Sequence, residues 1–283
     1  MKYMQWLPIV LMFMGCNVLG IHPALSHEKE IVIIIPSYNN QQWYVRNLDS
    51  VFTQKYNNYT VKYIDDKSSD ATAALVQKYI NENHYQHKIE LISNTNRCGA
   101  LCNIYNTIHT CRDDAIIILL DGDDWFKHEN VLAIINQVYQ DPNIWLTYGS
   151  YVHYPYNPNG RCCCIQIPPE IIKANAFREY TWVASHLRTF YAWLFKKVSQ
   201  EDLLIQKNYF PMAWDLAFMF PMLEMCGERF KFIPEALYIY NIANPLNDSK
   251  KNEQYQLFLD NFIRSKPKYN RLEQSYSATK DKA

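Results

Sequence analysis

The stretch Ile116 to Phe126, IIILLDGDDWF, places Asp121, Asp123 and Asp124 at the end of an aliphatic run. Carboxylates packed that closely repel and raise each other's pKa, so something must offset them. A divalent cation does so, and hard oxygen ligands suit Mg2+ or Mn2+. An ion held there would in turn bind a diphosphate. Other polar sets follow apolar runs in the same way. Pro36, Ser37, Tyr38 and Asn39 end the first run, Asp65 and Asp66 the second, and Asn94, Asn96 and Arg97 follow the third. Taken singly, each set suits a solvated turn or a helix cap. Four sets in series suit one site.

The elements that must position them are readable. EIVIIIPSY, YTVKYIDD, KIELIS, DAIIILLD and IWLTYGSYV are strand patterns. Between them lie NQQWYVRNLDSVFTQ, SSDATAALVQKYIN, GALCNIYNTIHTC and NVLAIINQVYQ, which are helical. In the first of these helices Trp43, Leu48, Val51 and Phe52 share a stripe, and the second starts with Ser/Asp N-cap chemistry. Regular strand–helix alternation from residue 31 to about 150 predicts an α/β fold, with parallel strands and crossover helices. In such sheets the ligand site lies beyond the carboxyl ends of the strands, where the four polar sets fall.

Composition narrows the function classes. The 283 residues carry a formal net charge of zero, and the basic residues are scattered. That argues against nucleic acid, whose phosphates require a basic stripe. There are only seven glycines, and neither G-x-G-x-x-G nor a P-loop sequence occurs.

The ordered set PSYNN, IDDKSSD, NRCGALCNIYN and LLDGDDW resembles the family 2 glycosyltransferases of the GT-A fold. The resemblance is close over residues 30–150 and looser to about 248. It implies a Rossmann-like, mostly parallel sheet flanked by helices, with an acceptor-binding extension. It also implies sugar transfer from a nucleotide sugar, with Mn2+ or Mg2+, by single displacement with inversion. Carried over by position, Pro36, Tyr38 and Asp66 line the nucleoside pocket. Asp66 would accept from the base N–H, which favours uracil and a UDP-sugar. Arg97 lies beside base and diphosphate, and Asn103 matches a polar helix position. Asp121 contacts ribose or sugar. Asp123 holds the metal that bridges the diphosphate, and Asp124 is a second candidate for that role.

The general base is expected near NYFPMAWDLAFMF, where the family commonly presents Glu-Asp at a helix start. This chain has Trp214-Asp215, so Asp215 is the expected base and the preceding acid is replaced. Glu224, more than two turns on, reads as structural. His186 is a candidate for the metal or the acceptor, and Arg188 for a phosphate. Trp182, Tyr191 and Trp193 suit a core, while Trp214 suits a sugar platform. LYIYNIANPLND resembles a segment that closes over the nucleotide. Glycan, lipid and protein hydroxyls all remain open as acceptors.

Other readings are weaker. An inactive sugar-nucleotide-binding or lectin-like module would be signalled by loss of Asp123, Asp124 or Asp215, and all are present. A nucleotidyltransferase needs a Gly-rich N-terminal loop with a basic residue, which IPSYNNQQW lacks. A processive synthase needs several membrane spans.

Residues 1–28 read as a secretory signal or a membrane anchor. Membrane association, or placement in the secretory pathway, is therefore expected over a plain cytoplasmic location. Residues 29–150 form the nucleotide-sugar half and 151–264 the acceptor half, while 265–283 is a polar tail expected to fray. Of the eight cysteines, Cys98 and Cys102 have i,i+4 spacing, and Cys162, Cys163 and Cys164 are adjacent. Buried or free thiols are the favoured reading for all of them.

Overall fold

The computed structural model describes residues 27–157, 162–246 and 252–274. In chain order the elements begin with β1 (Ile31–Ser37), α1 (Tyr44–Phe52), β2 (Tyr59–Asp65), α2 (Thr72–Glu82), β3 (Ile89–Ser93) and α3 (Ala100–Thr110). They continue with β4 (Ile116–Leu119), β5 (Trp125–Phe126), α4 (Val131–Val138), β6 (Leu146–Tyr154), α5 (Pro169–Ala174), β7 (Thr189–Tyr191) and α6 (Ala192–Phe195). Last come β8 (Leu204–Ile205), β9 (Asn208–Tyr209), α7 (Trp214–Cys226), β10 (Phe230–Asn241) and α8 (Glu253–Ser265).

Eight strands form one sheet in the order β3-β2-β1-β4-β7-β6-β10-β5, and β8 and β9 make a small hairpin. β1 is parallel to both β2 and β4, and β2 is parallel to β3. This is the predicted α/β sheet. Alternate residues of its central strands enter opposite cores. Val32, Ile34, Ile117 and Leu119 pack with Leu101 and Ile104 of α3. Ile33, Ile35, Ile116 and Ile118 pack with Leu48 and Val51 of α1 and Val76 of α2. Each such side chain contributes about 1.5–3 kcal/mol on burial. That explains why the central strands read as continuous aliphatic runs.

The second half departs from simple alternation. The short strand β7 inserts antiparallel between β4 and β6. Its Thr189 hydroxyl is satisfied in the core by Thr147, at 2.7 Å, and by Tyr139, at 2.9 Å. β10 runs parallel to β6, with register shifts around Pro234 and Glu235 that deliver its far end to the acidic loop. α7 is apolar on every side and almost wholly buried, as a core helix must be.

The acid cap expected of the second helix is present, and the cysteine spacing is resolved. The second helix is capped by Asp70, whose carboxylate accepts the Thr72 N–H at 2.9 Å, one position before the formal cap Ala71. Cys98 precedes α3, so it does not share a helical face with Cys102. Among the described residues the cysteines are free thiols, Cys162, Cys163 and Cys164 included.

The tail expected to fray, 265–283, is corrected over its described part, and 275–283 lie outside the described residues. Residues 266–274 pack back on the body: Leu272 N–H donates to Met225 O at 2.9 Å, and the Tyr269 hydroxyl donates to Asp202 at 2.6 Å. The leader expectation covers residues 1–28, of which 1–26, Cys16 included, lie outside the described residues. No helix among the described residues is long and apolar enough to cross a membrane.

Candidate active site

The carboxyl ends of β1, β2 and β4 open onto one cavity of about 1100 Å³. Of the residues the sequence put forward it brings together Pro36, Ser37, Tyr38, Asp66, Arg97, Asn103, Asp121, Asp123, Asp124 and Asp215, while Asn39, Asp65, Asn94 and Asn96 of the four polar sets do not line it. His186, Arg188, Trp182 and Trp214 line it as well.

At one end Asp66 organises the loop before α3. Its carboxylate accepts from Cys98 N–H at 3.0 Å, Gly99 N–H at 2.9 Å and Asn94 Nδ2 at 2.8 Å. Burial would raise its pKa, but bonds from Cys98, Asn103, Asn94 and Gly99 together hold it below the usual carboxylate value. Arg97 Nε stands 3.8 Å from Asp66 Oδ2, and the guanidinium lies 3.7 Å from the Tyr38 ring centroid. Asn103 Oδ1 accepts from Asn94 Nδ2 at 2.7 Å, which joins α3 to the same network.

The acidic loop is clamped from three sides. Asn47 Nδ2 donates to Asp121 O at 3.0 Å and to Asp124 O at 2.7 Å. Gly122 N–H donates to Pro36 O at 3.1 Å. A Cβ on Gly122 would sit 2.6 Å from Asn40 Nδ2 and 2.8 Å from Ser37 Oγ, so only glycine lets the loop lie against β1. Gly122→Ala is therefore expected to cost about 1–3 kcal/mol. Chemical denaturation checks this, and an unchanged midpoint would refute the close-approach argument.

Asp123 and Asp124 play different parts. Asp123 accepts from Asn244 Nδ2 at 2.7 Å. Asp124, the second candidate beside Asp123 for the metal, lines the cavity with both oxygens engaged by β10. Its oxygens accept the Tyr238 hydroxyl at 2.6 Å and Asn241 N–H at 2.7 Å, and the residue is 1% exposed. Burial pushes its carboxyl well above the usual range, reinforced by Asp123 and Asp121. This buried acid ties the loop to β10.

Asp121 and Asp123 supply hard oxygens to the cavity. No group of three or more His, Cys, Asp or Glu able to hold a metal occurs among the described residues. That donor set fits Mg2+ or Mn2+ of the kind held by one or two carboxylates and completed by substrate phosphates.

At the other end Asp215 is the second residue of α7, whose N-cap Ala213 has a left-handed φ of 52°. Its side chain is about one-fifth exposed, and Arg188 Nη1 donates to its Oδ2 at 2.8 Å. Burial raises the Asp215 carboxyl, and the Arg188 cation opposes that rise. Arg188, put forward for a phosphate, thus pairs with the expected base. Arg188 Nη2 also faces His186 Nδ1 at 3.1 Å. A guanidinium can only donate, so His186 accepts there. Burial and the Arg188 charge keep His186 well below its usual pKa, hence neutral. Its ring stacks on Tyr238 at 4.5 Å. Trp193 is a core residue, as expected, and Trp214 lies beneath Arg188, with 5.4 Å from guanidinium to ring.

Several contributors escaped the sequence reading. Asn241 and Asn244, within the LYIYNIANPLND segment, hold the acidic loop, a role the sequence reading did not give them. Glu253, Gln256, Leu257 and Asp260 of α8 also line the cavity, and nothing local in sequence marks them.

The comparisons agree with this geometry. The model of glycosyl transferase family 2 matches residues 32–201. The Escherichia coli protein WfgD, a UDP-Glc:alpha-D-GlcNAc-diphosphoundecaprenol beta-1,3-glucosyltransferase, is 30% identical over 121 residues, which is 43% of this chain and 45% of its own. Glycosyltransferase GlyA of Streptococcus pneumoniae serotype 4 is 25% identical over 111 residues, 39% of this chain and 15% of its own. Residues 1–349 of S. aureus TarS, in complex with UDP-GlcNAc, superpose with a TM-score of 0.56 at 15% identity, covering 75% of this chain and 58% of that one. The mannosyltransferase PcManGT from Pyrobaculum calidifontis, in complex with GDP-Man and Mn2+, gives 0.52 at 17% identity, covering 79% and 59%. The chain spans less than half of both curated relatives and less than two thirds of both solved chains. The family match covers more than half of the described fold and contains the acidic loop, so the chain belongs to glycosyl transferase family 2.

Proposed function

We propose that this protein moves a sugar from a nucleotide sugar, a UDP-sugar in the first instance, to an acceptor hydroxyl by single displacement with inversion. The observation that carries this reading is one cavity holding Asp66 and Arg97 at one end, Asp121 and Asp123 at its acidic loop, and the arginine-held Asp215. Arg97 over Tyr38 offers a planar cationic surface for a base and its phosphates. Asp66, kept ionised by the donors of the loop before α3, is the group that accepts from a base N–H in this reading. Asp121 and Asp123 would hold Mg2+ or Mn2+, and the ion would supply positive charge against the departing diphosphate. Asn244 fixes Asp123 for that task. Asp215 takes the proton of the attacking hydroxyl, and Arg188 holds the carboxylate in place. The UDP-Glc donor of WfgD and the UDP-GlcNAc complex of TarS support UDP, and the complex of PcManGT supports Mn2+.

Calorimetric titration of UDP with Mn2+, repeated in EDTA and with GDP, tests the donor half. Metal-dependent UDP binding is expected, and Asp123→Ala should weaken it at least about tenfold. Binding of neither nucleotide with Mn2+ present would overturn the transferase reading in favour of an inactive module. Preference for GDP would overturn the choice of UDP.

A further inference from the structure

His186 lines the cavity, and two sets of contacts fix where it stands. Its ring stacks on Tyr238, with centroids 4.5 Å apart and planes at 14°. The Tyr238 hydroxyl donates to Asp124 at 2.6 Å and accepts Asp121 N–H at 3.2 Å, so the stack ties His186 to the acidic loop. At the ring's edge Nδ1 meets Arg188 Nη2 at 3.1 Å, and Nη1 of the same guanidinium holds Asp215 at 2.8 Å. Tyr240 lies nearly parallel to the ring at 5.3 Å, and Tyr151 meets it edge-on at 5.6 Å. The imidazole therefore has little freedom to turn.

Its hydrogen bonds decide its chemistry. Nδ1 accepts from a guanidinium, which can only donate, so Nδ1 carries no proton. The single proton of the neutral ring is then on Nε2. An Nε2 that bears hydrogen has no lone pair for a cation, which removes His186 from the metal role put forward for it. Nε2 has no hydrogen-bond partner among the described residues, nor is it one of their buried unpaired polar atoms. It is therefore open to the cavity that His186 lines.

We propose that His186 is a specificity-determining residue for the donor sugar, its Nε2–H giving a hydrogen bond to an oxygen of the sugar in transit. This rests on the reading that puts the diphosphate at the acidic loop and the attacking hydroxyl at Asp215. The transferred sugar lies between those two, and so does His186. A neutral N–H suits that place. It orients an uncharged hydroxyl or carbonyl oxygen, and it adds no second cation beside Asp215 to lower its basicity.

Asparagine and glutamine separate the two ring nitrogens. An Asn side chain reaches the position of Nδ1, and a Gln amide reaches that of Nε2. His186→Asn thus keeps an acceptor for Arg188 and loses the N–H, while His186→Gln restores the N–H. Each full-length protein is titrated calorimetrically, with Mn2+, with UDP, UDP-glucose, UDP-galactose and UDP-N-acetylglucosamine. The sugar nucleotide that wild type binds most tightly should bind His186→Asn about tenfold more weakly, the loss of one good hydrogen bond. His186→Gln should stay within about threefold of wild type. UDP, which lacks the sugar, should bind all three proteins alike and so serves as the folding control. Nitrogen NMR of histidine-labelled wild type should show the Nε2–H tautomer at the signal that His186→Asn loses. Equal binding of the UDP-sugar by His186→Asn and wild type would overturn the proposal, as would an equal loss of UDP binding or a ring protonated on Nδ1. So would the reverse order, Asn retained and Gln weak, because His186 would then only support Arg188. Any of these results in protein that binds UDP fails this inference alone. Wild type that binds neither UDP nor a UDP-sugar fails the transferase reading, and this inference falls with it.

Discussion

Asp215→Asn is expected to lower kcat about 10²–10⁴-fold, the range associated with loss of a positioned general base. The substitution keeps the shape and leaves an oxygen for Arg188, so the helix start should survive. The KM for the donor should change little, because the residues assigned to the nucleotide end are untouched. The pH profile provides a readout that a structural role would not give. Asp215 must be ionised to accept a proton, and burial has raised its pKa above the ordinary carboxylate value. The acid limb of kcat/KM against pH should therefore lie above about 3.9. Arg188→Met removes the cation that restrains the rise, so the limb should move to still higher pH as kcat falls. Asp215→Asn should have no such limb. Steady-state rates from pH 4 to 8, with the UDP-sugar selected by screening, measure both effects. An Asp215→Asn enzyme with more than about a tenth of wild-type kcat would remove Asp215 from the base role.

The nucleotide half was legible because each step is local. A run such as IVIII can hardly be anything but a two-faced buried strand, and the polar residues after it fall at the strand end by chain direction alone. The parts that were not legible depend on distant partners. Asp123 and Asp124 are adjacent and chemically identical, yet only Asp124 is spent on Tyr238 and Asn241, more than a hundred residues away. β7 has three residues, too few for a period, and its place between β4 and β6 is set by pairing. β10 alternates well in YIYN, but Pro234 breaks the pattern where its register shifts. The tail was misjudged because polarity was taken as a sign of exposure. Tyr269 and Leu272 supply the apolar contacts, and backbone groups find buried acceptors. Arg188 was visible as a cation, but its partner could not be chosen between phosphate and Asp215 without the packing of α7.

Glu224→Ala is expected to be the most destabilising single change, costing about 3–5 kcal/mol. Glu224 is completely buried within α7. Arg178 Nε and Nη2 donate to its two oxygens at 2.5 and 2.9 Å, and Tyr269 N–H donates to Oε2 at 2.9 Å. Arg178 also reaches Ile263 O at 2.8 Å, so this pair joins α7, α8 and the C-terminal segment. Removing the carboxylate leaves a guanidinium in the core with one neutral acceptor and releases the chain at Tyr269. A loss of about 4 kcal/mol should lower the thermal midpoint by roughly 8–16 °C in a domain of this size. The paired substitution Arg178→Met with Glu224→Leu should recover much of the loss, because an apolar pair carries no desolvation cost. Differential scanning calorimetry of the three variants separates the possibilities. If Glu224→Ala melts within a degree or two of wild type, the junction is not what holds α8 against α7. If the double variant is as unstable as the single, the cost comes from lost packing and not from a stranded charge. Because α8 also lines the cavity beside Asp215, Glu224→Ala should reduce transferase activity at temperatures well below its melting point, although Glu224 touches no residue assigned to the chemistry.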